Sequence, residues 1–252
     1  MKLHEAPSLL VAAVAVGAIV VASAPAQDVP ESQDPAAADL SASVRVTPSK
    51  AGTKQSPQGV TITAASRITT APGFDPPIVT GIDLFLGEGF SWNAGEYVKC
   101  SEHVLDREGP GGCPNESIMG SVIATARAGS LNTKPEITLV NGGETRLFAF
   151  TRFDYPARVQ ETIAVKTADT TGRWHYKGTL RVPKNLQVVA GIPIQTTRMK
   201  LTIGGRPHAR DYITTTSCPQ GGWKYQATTH YLYDATGQTG RDTVSGTITC
   251  TS

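Results

Sequence analysis

The chain is poor in most of what a catalytic or nucleic-acid-binding protein displays. Its 252 residues include only three Met and three Trp, aromatics make up 6% and charged residues 17%, and the formal net charge is +2. The charges are scattered. The absence of a basic run argues against nucleic acid as a partner, and the absence of a polybasic stripe argues against a charged lipid surface. So few aromatics also argue against an outer-membrane barrel, which needs aromatic girdles at both interfaces. No G-x-S-x-G elbow is present; Ser91 lies in Gly89-Phe90-Ser91-Trp92-Asn93, without the closing glycine. No D-x-D-x-D run surrounds Asp75, Asp83 or Asp106, which disfavours a calcium loop. There is no C-x-x-C and no His pair at ligand spacing, so neither a metal nor a cofactor is expected. The run Gly109–Gly112 follows no strand and precedes no long helix, which disfavours a phosphate loop.

One long apolar run is present. Leu9 to Val21 follows the single basic residue Lys2 and precedes the small-x-small site Ala24-Pro25-Ala26. This reads as a signal peptide over residues 1–26, with an uncleaved anchor as the alternative; the run is short for a bilayer span. Residues 27–43, rich in Ala, Pro, Asp, Gln and Ser, read as a disordered spacer. The folded domain is then expected over 44–252, and the mature chain is expected to lack an integral membrane span. The implied location is secreted or cell-envelope associated.

Beyond the spacer, no amphipathic run of helical period reaches ten residues. Apolar residues alternate instead, in short segments separated by Gly, Pro, Asn and Asp. Strands are predicted at Gly59–Thr69, Ile78–Leu86, Ile118–Arg127, Glu136–Val140, Thr145–Thr151, Val159–Thr167, Trp174–Val182, Gln195–Ile203 and Asp211–Ser217. A last hairpin is predicted from Trp223–Tyr233 and Thr243–Cys250. Asn141-Gly142 is expected to supply the positive φ of a tight hairpin turn. Pro183 to Pro193, apolar but bounded by proline, reads as an edge strand or loop. The pattern predicts an all-β fold, a disulfide-stapled β-sandwich of roughly ten to twelve strands with one short helix.

That helix is expected after Ser101, a good N-cap, and is stopped by the glycines at 109–112. It lies between Cys100 and Cys113. With Cys218 and Cys250 these make four cysteines, for which three connectivities exist. Proximity favours Cys100–Cys113 and Cys218–Cys250. The last hairpin also brings Cys218 and Cys250 to the same end. In the chain-entropy model the two bridges contribute roughly 3 and roughly 3.5–4 kcal/mol.

These residues resemble a family. The corner Cys100-Ser101, Leu105, Cys113-Pro114, Ser117 and Gly120, and the later Thr216-Ser217-Cys218-Pro219, Gly221 or Gly222, Trp223, Tyr225 and Cys250, are similar to uncharacterised secreted proteins of actinobacteria. The resemblance covers about residues 74–250; Met119 departs from it, where a small or aliphatic residue is expected. It implies a secreted β-sandwich with two disulfides. It carries no activity and no catalytic residue.

Candidate site residues are accordingly few. Trp92, Trp174 and His175 are the candidate ligand-binding residues, since an aromatic beside a groove can stack on a sugar ring. Glu88, Glu96, Glu102, Glu108 and Glu116 gather around the corner, but their Gly, Ser and Asn neighbours read as solvated loop. His175 and His230 read as solvent-face strand residues. The stripe Trp223, Tyr225, Tyr231 and Tyr233 reads as core, because the alternate residues are wetter. No catalytic residue is expected. The reading is a secreted non-catalytic structural or binding module of the bacterial cell envelope or exterior. A carbohydrate- or lipid-binding module and a hydrolase with a site assembled from distant loops are the alternatives. Envelope glycan or lipid is the candidate partner.

Overall fold

Period-two alternation builds nearly every element of this chain. The computed structural model describes residues 38–252 apart from Arg206. The expected signal peptide, and the spacer up to residue 37, lie outside the described residues. In chain order the elements are β1 (Asp39–Thr47), β2 (Gln58–Gly59), β3 (Thr61–Thr69), β4 (Ile78–Leu86), β5 (Phe90–Trp92), α1 (Glu102–Glu108), β6 (Ile118–Ala128), β7 (Leu131–Thr133), β8 (Glu136–Asn141) and β9 (Arg146–Phe153). There follow β10 (Val159–Asp169), β11 (Tyr176–Arg181), α2 (Lys184–Gln187), β12 (Val188–Val189), β13 (Ile192–Ile203), β14 (Ile213–Thr215), β15 (Trp223–Tyr233) and β16 (Gln238–Ile248).

One antiparallel sheet runs β1-β3-β13-β6-β8-β9-β10-β11-β4-β15-β16. The strands β2-β14-β5 form a small second sheet. The long sheet curls so that its edges meet: the Leu40 N–H donates to Asp242 Oδ2 at 2.7 Å, and the Ala38 N–H to the Tyr233 hydroxyl at 3.1 Å. Inward residues from both halves share one core, among them Val46, Ile62, Leu139, Ile163, Ile203 and Trp223. The fold is thus an all-β, disulfide-stapled sandwich formed by one sheet turned on itself, with edge strands protected by each other.

The folded part begins earlier than Val44. Strand β1 starts at Asp39 and pairs with β3 from Asp39↔Thr69 to Thr47↔Thr61. Its inward residues are Leu40, Ala42, Val44 and Val46, an alternation that the intervening Ser and Ala disguise as spacer composition. The Pro183–Pro193 segment also differs from expectation. It forms the single turn α2, with Leu186 buried, and then the two-residue β12 against the start of β13.

The stapled corner covers part of the sheet's outer face. Ser101 Oγ accepts from the Val104 N–H at 3.3 Å and caps α1. The helix places the fully buried Leu105 against Ile118, Val140, Phe148 and Phe150, outer-face residues of β6, β8 and β9. Burying one such leucine contributes about 2 kcal/mol. The Cys100–Cys113 bridge (Cα–Cα 5.5 Å) closes this corner, and Cys218–Cys250 (Cα–Cα 5.7 Å) clasps the base of the last hairpin.

Asn141 ties the corner's approach to the sheet. It ends β8 and is fully buried, so it is not a turn residue; the positive φ of this hairpin belongs to Gly143 at 107°. The Asn141 amide donates to the carbonyls of Ala94, Tyr97 and Val98 at 3.0, 3.1 and 3.2 Å. Its Oδ1 accepts from the Gly143 N–H at 3.1 Å and the Tyr212 hydroxyl at 3.3 Å. Asn141→Ala leaves those buried groups unpaired and is expected to cost roughly 2–3 kcal/mol, read as a lower urea midpoint with an unchanged m-value.

Candidate functional site

The corner stops at β10, and the outer face of β11-β4-β15-β16 stays open. Register fixes which side chains share that face. Thr179↔Asp83 and Asp83↔Thr228 form one row, flanked by the rows Lys177↔Phe85↔Gln226 and Arg181↔Gly81↔His230. Strand β16 continues these rows with Thr243, Ser245 and Arg241.

Asp83 is the hub. It is 8% exposed although it lies on an outer face, because neighbouring long side chains cover it. Arg181 donates from both terminal nitrogens, Nη1 to Oδ1 and Nη2 to Oδ2, each at 3.2 Å. His230 Nε2 lies 2.9 Å from Oδ2, and Lys177 Nζ lies 3.9 Å from Oδ1. An ionised carboxylate only accepts, so His230 carries its proton on Nε2. Arg181 reaches Asp83 across Gly81: a Cβ there would sit 3.0 Å from Arg181 Cδ and Nη1. Glycine at 81 therefore leaves room for the guanidinium.

Burial alone pushes the Asp83 pKa up, but the hydrogen bonds from Arg181, His230 and Thr179 and the Arg181 charge outweigh it, and the carboxyl is held at about 2. Its pKa in the folded chain lies below the unfolded value. The resulting stabilisation is fully present above about pH 4 and is lost as pH falls through about 2. It amounts to something on the order of 2 kcal/mol. Acid unfolding followed by circular dichroism is expected to show that slope, and Asp83→Asn to flatten it.

Beside this cluster stands an aromatic column. Arg173 Cζ lies 4.9 Å over the Trp174 ring, Trp174 packs on Phe85 at 5.8 Å, and Lys177 Nζ lies 5.3 Å from the Phe85 centroid. Cation–π contact holds Arg173 and Lys177 in place without cancelling their charge.

The three residues singled out from sequence separate here. Trp174 joins the column and is half-buried. His175 follows it, exposed, edge-on to Tyr176 at 4.9 Å; its N–H donates to the Leu86 carbonyl at 2.8 Å and it precedes β11 instead of lying within it. Trp92 belongs to the small sheet. It packs against the main core, 4.9 Å from Tyr212, with its indole N–H buried and unpartnered among the described residues. It is partly buried against that core. Of the stripe on β15, Trp223 and Tyr231 are fully buried, and Tyr225 and Tyr233 pack partly buried against the same clusters.

The carboxylates near the corner form no comparable hub. Glu102, Asp106 and Glu161 line a shallow polar depression of about 300 Å³ against α1. Glu161 accepts from Asn185 Nδ2 at 2.8 Å, and Glu102 lies 4.0 Å from Arg146.

Sequence reading missed Asp83, Lys177, Arg181 and His230 as a group. Alternation places each on a solvent face. Only pairing between strands about a hundred residues apart brings them together. Among the described residues no helix is long and apolar enough to cross a membrane. The chain matches no protein-family model, no curated protein and no solved structure.

Proposed function

We propose that this protein is an exported, non-catalytic binding module whose ligand face is the open outer surface of β11-β4-β15-β16. The Asp83-centred cluster carries the reading. It is a set of polar side chains converging from three strands, pre-positioned by ion pairs and cation–π contacts on rigid sheet rather than on loops. Two disulfides, and the resemblance to secreted actinobacterial proteins, support export and a place at the cell envelope or exterior.

The cluster resembles a recognition surface more than a catalytic one. Its carboxylate is held in the ionised form by hydrogen bonds from Arg181, His230 and Thr179 and by the Arg181 charge, so it is a poor acid and a weak base at neutral pH. The purified protein is expected to bind an isolated cell-envelope fraction in a pull-down and to turn over none of a panel of ester, peptide and glycoside substrates. Turnover abolished by a single side-chain change would overturn this reading.

A further inference from the structure

The charge on the open face is lopsided. By register, Lys177, Arg181, Lys224 and Arg241 point outward on β11, β15 and β16, and His230 lies among them. Asp83 is the lone carboxylate on these outward positions among the described residues, and it is already engaged by Arg181 and His230. Arg181 and Lys177 keep donors that Asp83 does not use. A chain whose whole net charge is +2 therefore concentrates uncompensated cations on one face.

Resting on the binding-module reading, we propose that this face binds a carboxylate-bearing polysaccharide. Charge complementarity requires an anion, and Arg181 already shows here the two-nitrogen grip on a carboxylate that such a ligand would meet. Hydroxyls and an amide interleave with the cations, at Thr179, Thr228, Thr243, Ser245 and Gln226, which suits the hydroxyls of a sugar chain. A membrane surface fits less well, because the apolar residues of this face, Phe85 and Leu232, are half-buried and offer nothing to insert. Nucleic acid fits less well, because the Trp174 ring is flanked by Arg173 and Phe85 and leaves no free platform for a base.

The test is a titration of the purified full chain with polygalacturonate. Neutral dextran, single-stranded oligothymidylate and vesicles of mixed neutral and anionic phospholipid serve as comparisons. Polygalacturonate is expected to bind, to weaken steeply between about 0.05 M and about 0.5 M NaCl, and to lose affinity roughly tenfold or more in the double variant K224E/R241E. Lys224 and Arg241 are exposed and make no ion pair among the described residues, so that variant is expected to keep its melting temperature. Equal binding by the variant, equal binding of dextran, or tighter binding of vesicles or oligonucleotide would each overturn the polysaccharide assignment while leaving a binding module. Failure to retain any component of an envelope fraction would instead overturn the module reading itself.

Discussion

Trp223→Ala is expected to lower the unfolding free energy by about 3–5 kcal/mol, the range for removing a buried Trp. Trp223 opens β15, is fully buried, packs on Phe90 at 5.5 Å, and donates its indole N–H to the Ser217 carbonyl at 2.9 Å. Truncation opens a cavity at the end of the core and leaves that carbonyl without its donor. Trp223→Phe separates the two losses. It keeps an aromatic ring against Phe90 and drops only the hydrogen bond and part of the volume, so it is expected to cost roughly 1–2 kcal/mol. At this chain length each kcal/mol lowers the melting temperature by roughly 2–4 °C, so calorimetry resolves the two variants. The outcome also tests the role of the aromatic stripe. A residue serving an exterior ligand would lose binding with little loss of stability; a core residue does the reverse.

Long strands were legible because they are half-buried. Ile78–Leu86 has the same bounds in sequence and structure, and the last hairpin differs only at its ends. The short strands β2, β5, β7 and β12 span two or three residues, too few to show a period. Strand β1 was hidden for a different reason. Its inward Ala42 and its outward Ser41 and Ser43 carry little hydropathy contrast, so composition outweighed an alternation that was present. Asn141-Gly142 misled about mechanism while locating the right hairpin: the amide serves carbonyls at Ala94, Tyr97 and Val98, more than forty residues upstream, and nothing local announces that.

The site was less legible than the fold, and topology explains why. β4 lies between β11 and β15, strands that follow it in the chain by about a hundred residues or more. A solitary Asp in a strand and a solitary His in another look alike whether or not a sheet joins them. Trp174 was singled out as an aromatic at the start of the predicted strand Trp174–Val182, and it lies half-buried on Phe85 just before β11. Trp92 carried the same signal but packs partly buried against the core, where Tyr212, the residue before β14, lies against its ring.

The two disulfides should separate in what they protect, although chain entropy gives them similar weight. Replacing Cys218 and Cys250 together by serine opens a separation of 32 residues and is expected to cost roughly 3.5–4 kcal/mol. That bridge joins the segment before β15 to the residues after β16, and both Cys218 and Cys250 pack against the main core. Its loss should be global, with exchange of protected amides in β6, β8 and β15 accelerating together. Replacing Cys100 and Cys113, a separation of 13, carries roughly 3 kcal/mol in the same model. Here the bridge holds α1 on its own cluster, outside the main core. The expected result is local opening: amides of α1, including Leu105, exchange much faster while those of Leu139 and Ala149 keep most of their protection. Uniform acceleration in both variants would mean that the corner is part of one cooperative unit with the sheet. Selective loss would mean that the helix is a clipped-on cover, and that the outer face beneath it can be exposed without unfolding the sandwich.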